Sequence, residues 1–158
     1  MTVLNEGLKS KVAQVELIYR NKVKASERPV ITSSKDAYGL FLATWDMNKI
    51  ELVESFKVML LDRRVSCLGI SEISTGAVNF CLADAKIIFA TALKARASNL
   101  ILVHNHPSGH TTPSQPDIIL TKKLKQAGEL LDINVYDHLI ITPQEYYSFA
   151  DNGIMPTP

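Results

Sequence analysis

The segment from Asn99 to Leu131 most constrains what this chain can fold into. A short apolar run, Asn99–Val103, breaks off into a polar loop, His104–Pro113, rich in Pro, Gly, Ser and Thr. A helix then opens at Ser114, with Pro116 in its first turn, and continues to about Leu131. Val135–Ile141 adds a further strand, so helices and strands alternate through this half of the chain, as in a layered α/β domain. Upstream, Phe56–Leu61 and Val65–Ile73 are predicted as two strands meeting at the Asp62-Arg63-Arg64 turn, the second broken at Ser74-Thr75-Gly76. Asp84 is placed to cap a helix carrying Ile88, Phe89, Ala92 and Leu93 and ending around Ala97. Ser33 or Ser34 caps an earlier helix running through Ala37, Leu40, Phe41 and Trp45 to about Asp46, and Tyr146–Phe149 adds a last strand. The expected fold is a single-domain, layered α/β structure.

Leu8, Val12, Val15, Tyr19 and Val23 recur at spacings of three or four, which predicts a first amphipathic helix over Asn5–Lys22. The domain division that follows is an N-terminal helix over 1–24, a connector from Ala25, and one domain over 25–158. With 158 residues and 46% hydrophobic content, a core without disulfide staples is expected. Cys67 and Cys81 are too far apart for a C-x-x-C pair and are expected as small buried hydrophobes. No apolar run approaches the ~18 residues of a membrane span. MTVLNEGLKSK lacks the apolar core of a secretory signal, so a cytoplasmic location without membrane contact is expected. A formal net charge of +1 gives no chain-wide signal for nucleic acid. DNA binding is expected to be weak, confined to lysine groups at Lys9–Lys24 and Lys122–Lys125 that read first as solvated helix faces.

Three of the four histidines fall between 104 and 110. If the strand persists to His106, the side chains of His104 and His106 point to one side, where two imidazoles can chelate a divalent metal. Asp117, in the first turn of the following helix, can fold back with a carboxylate. Two His and one carboxylate leave a position open for water, the ligand set of a catalytic zinc. Singly, each residue has an ordinary structural reading: Ser114 as helix cap, Asp117 as a charge near a helix N-terminus, Pro107 and Gly109 as turn formers. Together, H-x-H-P, six residues, S-x-x-D has a chance occurrence on the order of one in a hundred thousand.

HNHPSG at 104–109, SQPD at 114–117 and the later DHLII resemble the metal motif of the JAB/MPN (JAMM) zinc metalloprotease family, and most closely its RadC branch, a bacterial group long labelled as DNA repair proteins. The resemblance spans roughly residues 25–153. It implies a mixed sheet flanked by helices, similar to cytidine deaminases, with one zinc held by His104, His106 and Asp117. It also implies that Ser114 hydrogen-bonds the water or the developing oxyanion. Glu54, in E-S-F-K-V-M-L-L-D at 54–62, is implied as the general base, with Glu51 and Glu72 as nearby rivals. The implied reaction is hydrolysis of an amide, peptide or isopeptide, in a protein or peptide substrate. A non-enzymatic DNA-repair or DNA/protein-binding module with a bound metal is the alternative.

The chain departs from the branch where Ala85-Lys86-Ile87 replaces a P-R-E triplet, and where His110 occupies a commonly acidic or small position. The segment before Glu54 is too short for a helix-hairpin-helix DNA-binding module, so that module is expected to be absent. The H-x-E and P-C-x-x-C of deaminases are missing. The His-rich set is unlike the carboxylate-rich sites of two-metal nucleases, and the 54–104 interval leaves little room for substrate-clamping insertions. His138 is expected to be structural, or to support a ligand from behind.

Overall fold

The computed structural model describes residues 13, 16, 18–76 and 83–157. Among them, α1 spans Ser34–Ala43, β1 Ser55–Leu61, β2 Cys67–Thr75, α2 Ala85–Lys94, β3 Asn99–Asn105, α3 Gln115–Glu129, β4 Asn134–Ile141 and β5 Tyr146–Ser148. The sheet order is β2-β1-β3-β4-β5. β1 runs antiparallel to both β2 and β3, β3 and β4 are parallel across the α3 crossover, and β5 returns antiparallel to β4. The expected mixed sheet flanked by helices is the observed fold.

Every residue of β1 and β3 is buried, which is why both read as nearly unbroken apolar runs rather than alternating ones. On one face Phe56, Val58, Leu60, Leu100 and Leu102 pack with Ile88, Phe89 and Ala92 of α2 and Leu124 of α3. On the other, Met59, Leu61, Ile101 and Val103 meet Ala37 and Phe41 of α1, with Trp45 and Ile50 beyond its end. Each of the Val, Leu, Ile, Phe and Met side chains among them contributes roughly 1.5–3 kcal/mol on full burial. The two layers hold the carboxyl end of β3 rigidly, beside the amino end of α3, where open α/β sheets bind their ligands.

Several boundaries differ from the sequence expectation, each for a local reason. α1 stops at Ala43, three residues before Asp46, because the Thr44 hydroxyl donates to the carbonyls of Leu40 and Phe41 and Asp46 accepts from the Asn48 amide; such local bonds compete with helix continuation. β2 begins at Cys67 rather than Val65, since Val65 sits in the left-handed region at φ 56° and completes the turn. It also continues through Ser74 and Thr75, because β1 pairs with it as far as Ser55↔Thr75. β3 extends past Val103 to Asn105 with β1 pairing on one side and β4 on the other, and His106 itself lies one residue beyond it. Residues 18–24 are not helical. Asn21 accepts a hydrogen bond from the Val23 amide there, and the Tyr19 hydroxyl reaches the Leu68 carbonyl of β2. Apart from residues 13 and 16, which are likewise not assigned to a helix, the rest of the expected first helix lies outside the described residues, as does Cys81. Cys67 is half-buried rather than buried, and burial pushes its thiol pKa up. No helix among the described residues is long and apolar enough to cross a membrane.

Candidate metal centre

His104 is the penultimate residue of β3 and His106 follows the strand's last residue. Asp117 arrives from α3 by a capping box. Ser114 is the N-cap, its hydroxyl accepting from the Asp117 amide at 3.3 Å, while the Ser114 amide donates to Asp117 Oδ2 at 2.7 Å. The Ser114 hydroxyl also donates to the same carboxylate oxygen, at 2.6 Å. These reciprocal bonds fix the helix start and the carboxylate together. Asp117 Oδ1 then lies 3.3 Å from His104 Nε2, Asp117 Oδ2 3.8 Å from His106 Nε2, and the two Nε2 atoms are 2.9 Å apart. His104, His106 and Asp117 thus offer one ligand atom each within 4.8 Å of one another.

The electrostatics favour a cation at this point. Burial raises the Asp117 carboxyl pKa, but a protonated His104, which can donate to it and carries the opposite charge, and the bonds from Ser114 outweigh it and hold the group well below the ordinary carboxylate range. It is therefore ionised at neutral pH. His106 Nδ1 is 2.6 Å from the His110 carbonyl oxygen, which can only accept. In neutral His106 the proton is thus on Nδ1, and the Nε2 lone pair faces His104 and Asp117. Lone pairs and a negative charge converging on one point are satisfied by a cation, and two imidazole nitrogens with a carboxylate suit a transition metal with an open position. The residues present fit a zinc ion. His110 is exposed and supplies its backbone carbonyl.

Glu54 stands immediately before β1, partly buried, its carbonyl accepting from the Gly76 amide at 2.8 Å. It is outside the three-residue ligand cluster. Two residues on, Phe56 pairs with His104 across the sheet and their rings lie near-parallel at 6.2 Å, so the chain carries Glu54 toward the end of β3 that bears the histidines. Of its rivals, Glu51 is exposed on a turn, and Glu72 pairs with the Lys57 ammonium at 3.4 Å. Ser114 is brought to the site, where its hydroxyl proton is engaged by Asp117.

Three contributors escape a reading for ligands alone. Asn105, between the histidines and fully buried, accepts from the Ser55 amide at 2.7 Å and donates to the carbonyls of Ile50 and Val53 at 2.7 and 2.8 Å. It ties the end of β3 to the segment that delivers Glu54. His138 Nε2 on β4 lies 2.8 Å from His104 Nδ1, and its Nδ1 lies 2.6 Å from the hydroxyl of Thr121 on α3. The alternation H-N-H on a strand signals that Asn105 points to the opposite face from its neighbours; nothing local signals Thr121.

A family model described as the RadC-like JAB domain matches residues 31–154. The chain belongs to the RadC-like JAB domain family. A UPF0758 protein of Flavobacterium johnsoniae is 44% identical over 127 residues, 78% of this chain and 53% of that protein. One from Moorella thermoacetica is 36% identical over 143 residues, covering 90% and 61%, and one from Thermotoga maritima is 41% identical over 100 residues, covering 63% and 45%. The chain spans about half the length of these curated relatives. Within the family's span, the candidate ligands, the Asn105 clamp and the α3 cap all lie inside the matched residues.

Proposed function

We propose that this RadC-like JAB domain is a zinc-dependent amide hydrolase acting on a peptide or isopeptide bond. The observation that carries the reading is the convergence of His104 Nε2, His106 Nε2 and the ionised Asp117 carboxylate at one point. His104, His106 and Asp117 would hold one zinc per chain. When bound there, zinc supplies Lewis acidity, lowering the pKa of a water toward ~7 and polarising the scissile carbonyl.

Glu54 accepts the proton of the attacking water and returns it to the departing amine. The Asn105 clamp keeps the Glu54 backbone in register with β3, so the base does not drift while the proton moves. The Ser114 hydroxyl orients Asp117 in the resting protein; to stabilise the tetrahedral oxyanion it must rotate away from the carboxylate. A fixed donor in that role contributes about 2.7–4 kcal/mol.

The test is Glu54→Gln, assayed on a peptide library alongside zinc content. The amide keeps the shape of the side chain and cannot take a proton, so the variant should retain one zinc and lose hydrolysis. Loss of zinc would make Glu54 a ligand, and full activity would place the base elsewhere.

A further inference from the structure

Behind the candidate ligands lies a row of polar groups sealed from water. Thr121 and His138 are completely buried and His104 is 1% exposed. With no solvent to supply or accept protons, hydrogen-bond donors and acceptors must balance within the row itself.

Read outward from the Asp117 carbonyl, the row has one consistent order when the rings are neutral. The Thr121 hydroxyl lies 2.6 Å from the Asp117 carbonyl oxygen, an acceptor only, so its single proton points there. Its contact with His138 Nδ1 at 2.6 Å is therefore one in which Thr121 accepts and Nδ1–H donates. A neutral ring carries only that one proton, so the His138 Nε2 is an acceptor. The Nε2 atom meets His104 Nδ1 at 2.8 Å, so His104 must donate from Nδ1. Its remaining nitrogen, Nε2, is then a bare lone pair facing Asp117 and His106.

We infer that Thr121 and His138 are positioning residues that hold His104 as its Nδ1–H tautomer and so present its Nε2 lone pair to a cation. This rests on the reading of His104, His106 and Asp117 as a metal site, and is independent of whether hydrolysis follows. The relay is directional because it starts at a backbone carbonyl, which cannot reverse its role. That carbonyl belongs to Asp117, so one residue contributes a candidate ligand and also anchors the proton order behind another. His138 also packs its ring against Phe149 at 4.8 Å, which limits its rotation. Partners of this kind behind a metal-bound histidine typically affect metal affinity by 10–100-fold.

The experiment combines nitrogen NMR of the histidines in zinc-free wild-type protein near pH 8 with Zn²⁺ affinity measured against a chromophoric chelator. His104 should give the signature of a protonated Nδ1 and bare Nε2. Thr121→Ser, which keeps the hydroxyl, should bind Zn²⁺ within about twofold of wild type, whereas Thr121→Val should bind at least about 10-fold more weakly. A His104 protonated on Nε2 instead would overturn the relay, as would a folded Thr121→Val with wild-type affinity. If Thr121→Val does not fold, the wild-type NMR result decides alone. If the wild type binds no Zn²⁺, the metal reading fails, and the tautomer still reports on the relay.

Discussion

Asn105 alternates with the histidines it separates, so the strand that aims two rings at one face sends its amide to the other. Removing that amide in Asn105→Ala leaves the Ser55 N–H and the carbonyls of Ile50 and Val53 without their partner in a buried place. Each such group costs about 1–3 kcal/mol, so chemical denaturation should show a loss of several kcal/mol; an unchanged midpoint would mean the clamp holds nothing. His138 leads to a pH prediction. Its pKa is depressed by burial, so below the unfolded value near ~6.5 the unfolded chain binds a proton that the native ring refuses. Stability is therefore full above that value and falls as pH drops beneath it, by up to about 1.4 kcal/mol per pH unit. Denaturation of zinc-free protein between pH 7 and 5 should show this slope, and His138→Gln should flatten it. A slope of equal size in the variant would remove His138 as its source.

The elements were legible wherever periodicity and capping agreed. Ser33, Asp84 and Ser114 each cap the helix the sequence placed after them. Sequence and structure part where tertiary pairing overrides local chemistry: Ser74 and Thr75 have turn propensity, yet a paired β1 keeps them extended. Val65 has strand propensity, yet the turn requires it at positive φ. His104, His106 and Asp117 stood out because their chemistry is concentrated in one loop and one helix turn. Thr121 could not, because its meaning depends on a histidine from a different strand. The α3–β4 junction offers a direct test of packing. A Cβ on Gly128 would meet the Ile133 carbonyl oxygen at 2.3 Å, backbone that cannot swing aside. Gly128→Ala should therefore cost about 1–3 kcal/mol and lower the melting temperature by several degrees; an unchanged melting temperature would show that the junction can open without loss.

For the whole molecule, charge and architecture point in one direction. A net charge of +1 spreads little attraction for phosphate, and Lys122 and Lys123 lie exposed on α3 as a solvated face. Duplex DNA should bind this chain no more tightly than the ~10⁻⁴–10⁻⁶ M of nonspecific contacts at physiological salt. Binding near ~10⁻⁸ M that resisted salt would favour the DNA-binding alternative over hydrolysis. The architecture instead concentrates its chemistry at one sheet end, where two buried layers hold β3 and a capping box sets Asp117 beside it. The most direct test of this account is the zinc content of the folded chain after equilibration with Zn²⁺ and removal of excess, measured for wild type and for the His104→Ala/His106→Ala double variant. One zinc per wild-type chain is expected, and none in a double variant that still melts cooperatively. One zinc retained by the double variant, or none in a folded wild type, would contradict it.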